Sequence, residues 1–215
     1  MAEVKIAADS GGGSVGLAGP ATTTSNAAVQ FKLPVADGSA GQVLKTDGSG
    51  NLSWYTLPTY TNGITEYDQW RINSNYSNSA GSAVITANWE RADNNFEKIG
   101  TGLTESSGIF TFPSTGKYLI TFNMYTNGNA DRYIGGEIEI SSDSGSNYSQ
   151  IGSILDSAYD GSGTYSAASC SSLVDVTNTS TFRMRFQATS VGTVNFNGST
   201  DSQRTGFTCI RLGDT

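Results

Sequence analysis

Histidine is absent from the 215-residue chain. That removes the commonest general base and the commonest metal ligand together. Cysteine occurs twice, at Cys170 and Cys209, too few for a disulfide framework. Two buried thiols in strands and one disulfide between them are both open readings. Charged residues make up 14% of the chain, against roughly 25% in an average globular domain. Twelve Lys and Arg against 19 Asp and Glu give a net charge of −7, with no basic cluster that could follow a phosphate backbone. Nucleic acid is therefore not an expected partner. No apolar run is long enough for a signal peptide or a membrane-crossing helix, so membrane insertion is not expected. The expectation is a protein made in the cytosol that stays there or leaves by a route such as lysis.

The missing charge is replaced by Ser, Thr, Asn and 26 Gly, residues that favour turns and exposed strand faces over helices. Aromatics are 10%, enough bulk for a core. Up to about residue 60, apolar residues come in short alternating groups: Val4 and Ile6, Val15 and Leu17, then Val29, Phe31 and Leu33. These read as short strands. In LPVADGSAGQVLKTDGSGNLSW, Asp37-Gly38 and Asp47-Gly48 supply the positive φ of tight turns, so two turns of a repeated hairpin-like unit are expected. Each unit has too few apolar residues for its own core and must borrow one from a neighbouring copy or a partner.

From about residue 61 the strands lengthen. They are expected at Gln69–Ile72, Ala83–Trp89, Gly108–Pro113, Gly116–Tyr125, Arg132–Ser141, Ser149–Asp156, Tyr165–Val176, Thr181–Thr189 and Thr205–Leu212. Turn-rich loops separate them, the pattern of an antiparallel sandwich or barrel. Only Asn88–Phe96 could hold a helical turn. Tyr118, Ile120, Phe122 and Met124 share one strand face; Phe182, Met184, Phe186 and Ala188 share another, with Arg183, Arg185 and Gln187 facing away. The fold class is all-β, an antiparallel jelly-roll sandwich behind an N-terminal stem of short strands and turns.

Catalytic patterns are poor. Gly12–Gly16 spells the nucleophile-elbow motif around Ser14, but an elbow needs a histidine base. Asp47, Ser49 and Asn51 have the alternate spacing of a calcium loop without its closing Glu, and a turn reads better. Neither a metal nor any other cofactor is expected. Asn-x-Ser sequons at Asn75, Asn147, Asn178 and Asn197 are read as composition. Loop tyrosines Tyr133, Tyr148, Tyr159 and Tyr165 could stack on sugars. Asp143, Asp156 and Asp160 lie in loops, with nothing to pair two of them for glycosidic chemistry.

GIFTFPSTGKYLITF resembles the signature of the globular heads of complement's first component and their tumour-necrosis-factor relatives. The signature positions fall on Leu103, Phe110, Gly116, Tyr118, Ile120 and Phe122. Ile120 stands where Phe is usual, and earlier Phe and Asn/Asp positions fall on Ala92 and Lys98. GFTCIRL is similar to the family's closing strand. The resemblance covers about residues 62–215 and implies a ten-strand jelly roll that forms a homotrimer. It places Leu119, Thr121 and Tyr125 toward the three-fold axis, beside the low-bulk strand YSAASCSS.

LPVADGSAGQVLKTDGSGNLSW, with DQWRI and NWERAD downstream, resembles structural proteins of tailed phages, particularly marine ones. That resemblance implies a non-enzymatic virion protein: a capsid decoration or head fibre, or a short fibre. Residues 1–60 would anchor it to a capsid or tail protein, and 61–215 would be the displayed head. The alternative it leaves open is a tail-fibre adhesin that binds a host receptor or surface glycan.

Overall fold

A computed structural model describes residues 3–7, 14–18, 23, 30–58, 63–128, 132–157 and 163–215. The chain divides into two compact units, Met1–Tyr60 and Thr61–Thr215. Every regular element among the described residues is a strand.

In the first unit, β1 (Glu3–Ala7) and β2 (Ser14–Ala18) form an antiparallel ribbon. Ser14 opens a strand, whereas an elbow serine sits between a strand and a helix. Then β3 (Gln42–Thr46) and β4 (Leu52–Thr56) form a hairpin, with Lys32 bridging in parallel to Asn51. Asp47-Gly48 is its turn. The Asp47 carboxylate accepts from the Ser49 and Asn51 amides at 2.7 and 3.1 Å, and Gly48 and Gly50 take φ of 80° and 91°. Asp37-Gly38 forms no second hairpin, contrary to expectation. Its backbone crosses the indole of Trp54, where a Cβ on Gly38 would meet the ring at 2.5 Å, and the Trp54 Nε1 donates to the Ala36 carbonyl. The glycine there serves a close approach instead of a turn. Of the expected strand through Val29, Phe31 and Leu33, only the bridge at Lys32 forms; Val29 lies outside the described residues.

The second unit is a jelly-roll sandwich. One sheet runs β13 (Ser149–Ser157), β12 (Tyr133–Ser141), β15 (Arg183–Ser190), β10 (Ile109–Thr111), β9 (Thr104–Ser106), with β7 (Gly81–Val84) also on β15. The other is centred on the long β11 (Gly116–Gly128), flanked on one side by β14 (Thr164–Val176). On its other side lie β17 (Gly206–Gly213) and β16 (Val194–Phe196), then β5 (Tyr67–Ile72) and β6 (Tyr76–Asn78), with β8 (Trp89–Arg91) beyond β5. All pairings are antiparallel.

Period-two alternation explains the sandwich: along β11, Tyr118, Ile120, Phe122 and Met124 point inward and are buried. They meet Met184, Phe186 and Ala188 from the facing sheet. At the centre, Phe186 and Phe207 stack at 4.4 Å, and Phe110, Phe122 and Trp89 each lie within 5.6 Å of at least one of the two. The expected strand Ala83–Trp89 is in fact two, β7 and β8, in opposite sheets. Between them Ile85 plugs the core and Asn88 turns the chain at φ 69°, a conformation Asn tolerates better than most residues. Since β8 begins at Trp89, no helical turn forms at Asn88–Phe96.

Candidate functional site

The six signature positions Leu103, Phe110, Gly116, Tyr118, Ile120 and Phe122 are all buried in the sandwich. They build the core; Leu103 and Tyr118 among them also border a small pocket beside Asp68 and Cys209. What remains for function is the outward side of each sheet.

The outward side of the β12–β15 sheet is charged. Glu139 pairs with Arg185 at 2.6 Å, and the Arg185 guanidinium lies 3.7 Å from the centre of the Tyr148 ring. Arg183 and Glu137 lie in the same sheet, and partial burial, then the neighbouring Glu139, raises the Glu137 carboxyl above its ordinary value.

The outward side of the β11 sheet differs across its central strands, with Arg71 and Glu90 outward at the β5–β8 edge. Antiparallel register stacks its residues in rows. Leu173, Leu119, Ile210 and Tyr67 form an apolar row across β14, β11, β17 and β5. The next row is Ser171, Thr121, Thr208 and Gln69, with the Thr121 and Ser171 hydroxyls 2.8 Å apart. Then come Asn123 opposite Ser169 and Tyr125 opposite Ala167, and Tyr125 stacks on Tyr165 at 5.7 Å. Lys117 and Asp175, facing each other at one end, are the only charges on the outward positions of these paired β11 and β14 residues. Beside them an open groove of about 440 Å³ is lined by Leu173, Val174, Leu212 and Gly213. Leu173 is 66% and Leu212 59% exposed. Leu119, Thr121 and Tyr125, the residues expected at a three-fold axis, are thus on one face whose charges lie at its margins, Lys117 and Asp175 at one end and Arg71 and Glu90 at the β5–β8 edge.

The other sequence candidates are occupied locally or fall outside the described residues. Asp143 caps its own turn, accepting from the Ser141 hydroxyl and from the Asn147 amide and side chain; these bonds lower its carboxyl to about 2. Asp156 accepts from the Ser166 hydroxyl. Tyr148 lies under Arg185, Tyr165 stacks on Tyr125 and Tyr133 is exposed, while Tyr159 and Asp160 lie outside the described residues. Cys170 and Cys209 are free thiols on strands either side of β11, and burial raises both. No group of acidic, Cys or His residues suited to a metal exists among the described residues.

One feature escaped sequence reasoning. DQWRI and NWERAD are partner strands, with Trp70 opposite Arg91 and Arg71 opposite Glu90. Buried Asp68 accepts from Arg91 Nε at 2.9 Å, Trp70 Nε1 at 2.9 Å and the Leu103 amide at 2.8 Å. Buried Arg71 holds Glu90 at 3.3 Å, Asp93 at 2.8 Å and the Thr200 carbonyl. The signal was available: two short phrases of complementary charge, each with a Trp.

Similar solved structures include Eiger, a TNF from S. frugiperda, at 13% identity and a TM-score of 0.54. The match covers 71% of this chain and 96% of that one. Murine APRIL is similar at 11% identity and a TM-score of 0.51, covering 68% of this chain and 98% of that one. At such identity the likeness shows the fold: a tumour-necrosis-factor-like jelly roll. No protein-family model matches the chain, and no curated protein matches it in sequence.

Proposed function

We propose that the chain is a non-enzymatic structural protein of a tailed-phage virion. Three copies associate through the outward β11 face, and residues 1–60 attach the trimeric head to a capsid or tail protein. The observation that carries the reading is the contrast between the two outward sheet faces. In a chain of net charge −7, one face keeps Glu and Arg on its central strands, while the centre of the other offers an apolar row, a hydroxyl row and a tyrosine stack, with its charges confined to the Lys117–Asp175 end and the Arg71–Glu90 edge. Depletion of charge at the centre, with aromatics retained, characterises protein interfaces. Three as the copy number follows from the resemblance to complement heads, and the virion setting from the resemblance of the stem and of DQWRI and NWERAD to phage structural proteins. Support for a non-enzymatic role comes from the acids, since Asp68, Glu139, Asp143 and Asp156 are each taken up by structural partners. Antibody labelling of purified particles tests the proposal. Label spread over the capsid supports a decoration, and label at the tail supports a short fibre or adhesin. Particles that carry no label contradict it.

A further inference from the structure

Residues 30–58 hold a defined hairpin, yet none of them is buried. Phe31, Leu33 and Val35 alternate along one segment at 65%, 71% and 107% exposure. Val43, Leu44, Tyr55 and Leu57 are exposed as well. A lone two-stranded hairpin is marginal in water, and an exposed apolar set of this density marks an interaction surface. The backbone is nevertheless specified in detail, by the capped Asp47 turn and by Trp54 seated over Gly38.

We infer that this surface is covered by the same segment of the other copies, so that three stems share one core. The charges point to a copy as the occupant. Lys32, Lys45, Asp37 and Asp47 sum to zero over residues 30–58, while the rest of the chain carries 10 − 17 = −7. Copies therefore meet here without the repulsion that the rest of the chain would impose. Two of the four are satisfied within the hairpin: Lys45 lies 4.3 Å over the Tyr55 ring, and Asp47 is capped by Ser49 and Asn51. The side chains of Lys32 and Asp37 have no partner among the described residues, leaving one cation and one anion per chain for a neighbour. A copy is also the one partner present in fixed ratio whenever the hairpin forms. The inference rests on the trimeric reading for the number of copies, and a trimeric head raises the local concentration of stems.

The test uses the full chain with Cys170→Ala, since Cys209 is too buried to label. Pyrene maleimide is attached at Val35→Cys, or at Ser153→Cys on the exposed surface of the head. The expected result is an excimer band at Val35 and none at Ser153, with the band lost when labelled chain is refolded with excess unlabelled chain. Leu33→Asp, which puts a charge in the shared core, should abolish the excimer while light scattering still reads a trimer. A trimeric chain with no excimer at Val35 overturns the shared stem and leaves the trimeric head standing. A monomeric chain overturns both.

Discussion

Phe122→Ala probes the core between the two sheets. The ring is fully buried, 4.8 Å from Phe186, and its Cε1 lies 2.6 Å from where a Cβ on Gly136 would stand. Directly against the ring, Gly136 contributes no side chain to fill the void. The loss should therefore sit in the usual range for a buried Phe, about 3–5 kcal/mol. With a urea slope of about 2 kcal/mol per molar, the midpoint should fall by roughly 1.5–2.5 M at fixed protomer concentration. Gly136→Ala alone should also destabilise, because its methyl collides with the ring and approaches the Gln187 carbonyl at 3.1 Å. In the double variant that methyl enters the space the ring vacated, so the combined loss should be smaller than the sum. Thr121→Ala, one residue along but outward, removes only the exposed hydrogen bond to Ser171 and should cost less than about 1 kcal/mol. Urea unfolding followed by far-UV circular dichroism gives all four values. Equal, small losses for Phe122→Ala and Thr121→Ala would refute the face assignment, and strict additivity with Gly136→Ala would refute the contact.

Asp68→Ala leaves the buried Trp70 indole and Leu103 amide without their acceptor, while Arg91 keeps the Leu103 carbonyl, and thermal unfolding should report a loss of about 2–5 kcal/mol. Asp143, lowered from 3.8 to about 2, contributes stability that is full above its ordinary value and lost as pH falls through about 2. Asp143→Ala should therefore destabilise at neutral pH and converge on the parent near pH 2, as read by melting curves across that range. Leu119→Arg places a charge in the middle of the apolar row. It should reduce the light-scattering mass to the single-chain 22.5 kDa and leave the far-UV spectrum unchanged.

The sandwich was legible because alternation writes one-sided burial directly into GKYLITFNMY and TFRMRFQA. The short strands β6, β9 and β16 were not, since three residues cannot establish a period. The division of Ala83–Trp89 was hidden because Ile85 continues the alternation while the chain crosses between sheets. In the stem, the two Asp-Gly pairs are alike in sequence and differ in structure. Asp47 has Asn51 four residues on to close the turn, whereas Gly38 answers to Trp54, sixteen residues away. Of the candidate site, Leu119, Thr121 and Tyr125 were named from the signature strand. The rest of the face, Leu173, Ile210 and Leu212, needed the register between β11, β14 and β17, which no local pattern encodes. The Asp68–Arg91 pairing likewise depends on β8 lying beside β5.

The division of labour between stem and head is tested most directly by loading onto particles that lack the native copy. Full-length chain and a head beginning at Thr61 are offered separately, and bound protein is counted by quantitative labelling. The full chain should load, while the head alone should remain a soluble trimer with an unchanged melting transition and fail to load. A head that still decorates the particle would contradict the assignment of residues 1–60 as the anchor, and a full chain that binds no particle would contradict the virion role itself.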